Sequence, residues 1–333
     1  MAITKGGFTR NGHNMFEVSS LIQKAIRRRD ADLAYYAANE LIPKYRNYCW
    51  KRLLTVSAED CYDMVTGRIM ELHSLDVKEQ DDRNIATAVS TLLNARKNRD
   101  ADYFACNLLN SRDVTDITKY CQEPKNDMTC HTKNGHCLYD LETCFRNAID
   151  AVDDKMAGYS ANEILVYYRK TCWRLIIGKA EQMGFADVVA EMRALKAADE
   201  QTKRCSIIYY AKAITTLLKV AKWQSTDNFE HTFKYNDTID LRKYDNVKYM
   251  IPSYVFDCHT YRGKAMGKTR AQFFADEQAA LTPMQLGWYD NETYDRFLWL
   301  EKNGFWKDAV LPRPDERTIK EIEEGTAQLS LFQ

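Results

Sequence analysis

The sequence predicts an all-α protein made of two tandem homologous helical repeats with irregular polar loops and a C-terminal tail. Three observations predict it. Glycine (13) and proline (6) are too scarce in 333 residues for the frequent turns of an all-β chain. Apolar residues recur at helical spacing, as in Val18, Leu21, Ile22, Ala25 and Ile26. The chain also matches itself about 123 positions on. Lys24-Ala25-Ile26 meets Asn147-Ala148-Ile149, Ala38-Asn39-Glu40-Leu41 meets Ala161-Asn162-Glu163-Ile164, and Cys49-Trp50-Lys51 meets Cys172-Trp173-Arg174. Farther on, Ala88-Val-Ser-Thr-Leu-Leu93 meets Ala213-Ile-Thr-Thr-Leu-Leu218, and Cys130-His131-Thr132 meets Cys258-His259-Thr260.

The elements follow in order. A helix is expected over the stripe beginning at Val18. A second starts at Asp30-Ala31-Asp32-Leu33, whose aspartates suit a helix N-terminus. Helical spacing continues at 44–55, 83–97 and 101–109, and in the second copy at 141–152, 161–177, 185–197 and 204–223. The polar stretches 111–137 and 225–264 read as irregular, and a last helix is expected at 269–281. The segments expected are 1–138 and 139–268 for the repeats, 269–311 for a helical and aromatic extension, and 312–333 for the tail.

Composition narrows the function. An apolar share of 45% offsets ordering entropy and excludes disorder as the main state. Forty-seven basic residues balance 47 acidic ones, so a nucleic-acid site has to be a local patch. No apolar run is long enough to span a membrane, and the N-terminus lacks a signal-peptide core. The expectation is a cytoplasmic protein whose ten cysteines are not a disulfide frame.

The run Lys24-Ala-Ile-Arg-Arg-Arg-Asp-Ala-Asp, then Tyr45-Arg-Asn-Tyr-Cys-Trp-Lys-Arg-Leu-Leu54 and Ser57-Ala-Glu-Asp60, resembles the C-terminal helical region of the replication-associated recombination protein A and Werner-interacting protein family. The resemblance is best over 16–62. It implies a clamp-loader-like helical fold, a link to DNA and homo-oligomers. The family's ATPase has no counterpart here, because no G-x-x-x-x-G-K-[ST] loop occurs. The closing Gln328-Leu329-Ser330-Leu331-Phe332 resembles the peptide by which bacterial repair proteins dock on the sliding clamp. An aliphatic–aromatic pair filling an apolar pocket fits that role.

The densest polar cluster is Asp257-Cys258-His259-Thr260-Tyr261-Arg262-Gly263-Lys264, continuing to Lys268 and Arg270. Asp257 is placed to stabilise positive charge on a sugar or to activate water, with His259 and Lys264 in support. Asp127, before the first copy's Cys-His pair, is a second candidate, and Glu59 and Asp60 are a third; the second copy has Lys179-Ala-Glu-Gln182 there. Capping and ion pairing are the structural alternatives for these acids.

Lys44, Arg46, Lys51 and Arg52, with Arg169, Lys170, Arg174, Arg262, Lys268 and Arg270, are the candidate phosphate contacts. Trp50 and Trp173 read as core. Cys121, Cys130, His131, His136, Cys137 and Cys144 raise a weaker zinc alternative, chiefly Cys121, Cys130, His136 and Cys137, but no C-x₂-C pair accompanies them. No cofactor is expected.

The leading expectation is a clamp-recruited DNA glycosylase of genome maintenance or anti-phage defence, a metal-independent hydrolase using carboxylate chemistry. The alternatives are a non-catalytic DNA-binding, oligomerising adaptor at the clamp and a metal-dependent nuclease.

Overall fold

The computed structural model describes residues 7–109, 116–125, 132, 134–203, 206–229 and 239–285. Among these residues the protein is all helical, with two isolated β-bridges and no strand. No helix among them is long and apolar enough to cross a membrane. The chain forms two compact units, one from 1–99 with 231–333 and one from 100–230. The sequence repeat and these units are different divisions of the chain.

In the first unit, α1 (Met15–Arg27) packs along α2 (Ala31–Glu59). Asn14 caps α1 through the Phe16 N–H, and Asp30 caps α2 through the Leu33 N–H. α3 (Thr66–Glu79) and α4 (Asp82–Asn94) close onto α2. The stripe of Val18, Leu21, Ile22, Ala25 and Ile26 is fully buried.

The second unit opens with α5 (Asp100–Phe104), which continues as a π-turn over Ala105–Leu109. Its remaining helices are α6 (Leu138–Asp150), α7 (Asp154–Met183), α8 (Ala186–Thr202) and α9 (Ser206–Trp223). α6 pairs with α7 much as α1 pairs with α2, and α9 packs on α5, α7 and α8. Two helices complete the first unit, α10 (Tyr261–Ala265) and α11 (Arg270–Gln285).

Several features recur 123 positions apart. Both long helices bend at a non-helical tyrosine, Tyr45 (φ −132°) and Tyr168 (φ −134°). Pro43 precedes the first bend, but Val166 stands at that place in the second, so the bend does not require proline. Left-handed residues recur at Arg29 and Val152 and at Gln80 and Lys203. The buried Trp50 indole donates to Asp76 at 2.6 Å, and the Trp173 indole to Asp199 at 3.0 Å. Both tryptophans are therefore core pins rather than base-stacking surfaces.

The sequence pattern leaves α3 unassigned, because its buried face is a sparse mix of Thr66, Ile69, Leu72, His73 and Asp76. α2, expected in pieces, runs through Pro43. α10 falls inside the stretch expected to be irregular, whose other described residues from 239 on form short 3₁₀ turns.

Asp76 also accepts hydrogen bonds from the Arg46 guanidinium, so this carboxylate holds a cation as well as the indole. Asp76→Ala is expected to cost about 2–4 kcal/mol in chemical denaturation, more than Asp199→Ala, because it leaves the buried Trp50 indole unpaired and removes one of the two carboxylates that hold Arg46.

Candidate functional site

α1 carries cations on its buried face. Lys24 and Arg27 are 3% and 1% exposed, positions where an unpaired charge is strongly unfavourable. The Lys24 ammonium donates to the Tyr254 carbonyl at 2.8 Å and to Asp257 Oδ2 at 2.5 Å, with Glu277 of α11 at 3.7 Å. Arg27 Nε donates to Asp60 Oδ1 at 2.6 Å, and its guanidinium also pairs with Glu277.

Asp60, the residue that caps the C-terminus of α2, is fully buried. It further accepts from Gln23 at 2.8 Å and from Arg99 at 3.2 Å, while Arg99 reaches Glu59 at 3.0 Å. Arg52 donates to Ser19 and to the Gln23 carbonyl oxygen, extending the chain of bonds. Three cations and four carboxylates from five separate stretches of sequence thus form one network within the first unit.

Burial pushes the Lys24 amine down to about 8, against the attraction of Asp257. Burial alone would raise Asp257, but hydrogen bonds from His259 and the Lys24 charge hold it well below the usual carboxylate range. Asp60 is likewise held low, its burial outweighed by Arg27, Arg99 and Gln23.

The turn around Asp257 is tight. Its side chain accepts the His259 N–H at 2.7 Å, and its carbonyl accepts the Thr260 hydroxyl at 3.0 Å. A Cβ on Gly263 would lie 2.0 Å from the Asp257 carbonyl oxygen, so this close approach requires glycine.

The members of the network on α1 and at the end of α2 do not recur 123 positions on. Asn147 and Asp150 stand where α1 has Lys24 and Arg27, and Gln182 and Met183 stand where α2 ends in Glu59 and Asp60.

The sequence candidates therefore divide. Asp257, Asp60 and Glu59 come together, but as ion-pair partners rather than as solvent-facing acids. The His259 ring is 60% exposed beside Asp257, and Lys264 is exposed on α10. Asp127, Cys130, His131 and 328–332 lie outside the described residues, as do the side chains of Lys170 and Arg270.

Several expected phosphate contacts are engaged elsewhere. Arg46 pairs with Asp76 and Asp82, Arg174 with Glu142 at 2.9 Å, and Arg262 with Glu17 at 3.3 Å. Arg52 serves the buried network. Lys44 and Arg169 are exposed, and Lys51 and Lys268 are half-buried.

Among the described residues no group of three His, Cys, Asp or Glu is arranged to hold a metal. Cys121 is buried with its thiol 3.8 Å from Asp140; Cys137 and His136 are half-buried, and the His136 ring packs edge-on against Tyr159.

A second constellation, which the sequence reading missed, occurs once in each unit. Thr9-Arg-Asn-Gly-His13 and Thr132-Lys-Asn-Gly-His136 lie 123 apart, followed by Tyr36-Ala-Ala-Asn-Glu40 and Tyr159-Ser-Ala-Asn-Glu163. Gly12 and Gly135 both have positive φ, +76° and +73°. The His13–Tyr36 and His136–Tyr159 rings meet edge-on at 6.1 and 6.4 Å. Glu40 accepts from the Thr9 hydroxyl and from the Asn11 backbone and side chain at 2.6–3.0 Å. A carboxylate so occupied clasps a loop; it does not act as a base. The repeated pentapeptide was the available signal.

No family model, curated protein or solved structure matches the chain.

Burial lowers the pKa of His13 and His136, the coulombic pull of Glu40 and of Asp140 respectively being smaller. The unfolded chain thus binds more protons below about pH 6.5. Stability should fall as the pH drops below about 6.5, and fall further below about 3.9 as Asp60 and Asp257 are forced to protonate. Urea midpoints between pH 8 and 3 check this; a flat profile down to pH 4 contradicts the histidine part.

Gly263→Ala should disrupt the turn that presents Asp257 to Lys24 and cost about 2–4 kcal/mol, read from the same denaturation curves.

Proposed function

We propose that this protein is a non-catalytic, DNA-associated adaptor of genome maintenance, brought to the replication machinery by its C-terminal peptide. The saturation of the candidate acids among the described residues carries this reading. A carboxylate for base excision has to face the sugar and the attacking water. Asp257, Asp60 and Glu59 instead face Lys24, Arg27 and Arg99. That arrangement supports a scaffold more than a glycosylase, and two neighbouring acids already neutralised by arginines offer little to a nuclease metal.

The sequence resemblance over 16–62 supports a helical, DNA-associated and oligomerising role. The exposed Lys44, Arg169 and Lys264 are suited to phosphate contacts that position DNA without reading its sequence. The peptide 328–332 supports clamp docking through its aliphatic–aromatic pair.

Three measurements on the full chain test the reading. DNA should shift on a native gel without release of free base, detected by mass spectrometry, and without alkali-labile sites. Base release by the wild type that disappears in Asp257→Asn would replace the adaptor with the glycosylase. Deleting 328–333 should abolish clamp pull-down while leaving the melting temperature unchanged; retained pull-down refutes the docking. Lys264→Gln should weaken binding to all DNA sequences alike and lower the salt slope by about one unit.

A further inference from the structure

One chemical arrangement in the first unit has no part in the adaptor role. Cysteine reacts as the thiolate, so a reactive cysteine needs exposure and a neighbour that takes its proton. Cys49, Cys61, Cys121, Cys144 and Cys172 are buried. Burial pushes Cys49 and Cys144 up to about 12 and Cys172 higher still. Cys121 is raised as well, by burial first and the Asp140 charge second, and Cys137 is raised by burial.

Cys258 differs. It is half-exposed on the turn before α10, with its Sγ 3.5 Å from Nδ1 of His259. The same ring nitrogen is 3.6 Å from Oδ1 of Asp257, and the ring edge rests on Phe273 with centroids 4.7 Å apart. Asp257 cannot swing away, because Lys24, the His259 N–H and the Thr260 N–H all hold it. The imidazole is thus fixed between a carboxylate and a thiol.

The charges around it are largely paired, Lys24 with Asp257 and Glu277, Arg99 with Glu59 and Asp60, and Arg262 with Glu17. Lys24 and Arg99 approach the Phe273 ring at 5.6 and 5.5 Å, and Arg262 and Lys264 follow on α10.

We propose that Cys258 is a reactive thiol and a site of oxidation by hydroperoxides, with His259 as its proton acceptor and Asp257 as a positioning residue. The imidazole takes the thiol proton. The thiolate attacks the terminal peroxide oxygen, the O–O bond breaks and the S–O bond forms. Sulfur loses two electrons, the peroxide gains them, and the departing alkoxide or hydroxide takes the proton back from the imidazolium. The products are a sulfenic acid at Cys258 and one molecule of alcohol or water.

The test is site-resolved mass spectrometry of the folded full chain. At pH 7, iodoacetamide should alkylate Cys258 at least about tenfold faster than Cys49, Cys144 or Cys172, and hydrogen peroxide should give a dimedone-trapped sulfenate at Cys258. His259→Asn should slow Cys258 alkylation about tenfold without moving the melting temperature. In Asp257→Asn the midpoint of the rate-against-pH profile should shift. If that variant fails to fold, His259→Asn still decides the matter. Alkylation of Cys258 at the rate of the urea-unfolded chain, unchanged in His259→Asn, would reduce it to an ordinary exposed thiol and overturn the proposal.

Discussion

The first unit depends on the pairing of charges inside it. Lys24 and Arg27 lie on the buried face of α1, where an unpaired cation is costlier than any single apolar contact is favourable. Removing one member of such a pair typically costs about 3–5 kcal/mol, because the remaining charge stays buried. The fold of this unit must therefore bring Asp60, Asp257, Glu277 and Arg99 to α1. That requirement ties residues near position 24 to residues near 257 and 277, and it fixes which turn of α1 meets which segment. Gly263 and the Thr260 hydroxyl then shape the turn so that Asp257 points at Lys24.

The recurring geometry gives this specialisation a background. Bent helices at Tyr45 and Tyr168, indole pins at Trp50 and Trp173, and the glycine–histidine loops on Tyr36 and Tyr159 all keep one spacing. These features hold helices or loops together, and both copies have them. The ion network around Lys24 and Arg27 lies in the first unit, and the second unit has a buried pair of its own, Lys219 with Asp100.

The same network bears on function. Acids qualify as candidate catalysts in the sequence by their type and spacing. Their chemistry is decided by what they face. Asp60 faces two arginines and a glutamine amide, and Asp257 faces a lysine and two backbone N–H groups. Such carboxylates stay ionised and immobile, which suits a rigid scaffold. Beside them, the His259 ring is exposed and Cys258 is half-exposed.

Much of the helical architecture was legible in the sequence, because amphipathic spacing and capping residues act over a few positions. The stripe from Val18 to Ile26, the Asp30 cap and the burial of Trp50 and Trp173 needed no tertiary information. α3 was not legible, since its buried face mixes polar with apolar residues. The segment 257–264 stood out from its composition, yet its role did not. In the sequence, Arg27-Arg28-Arg29 reads as a basic run, and nothing local shows that Arg27 points inward to Asp60 and Glu277 while Arg29 is exposed. Local pattern sets which residues share a helix face. Which distant charge meets that face is set by chain packing across more than two hundred positions, so the sequence alone determined most of the helices and the candidate acids, and the tertiary structure alone decided that Glu59, Asp60 and Asp257 are ion-pair partners.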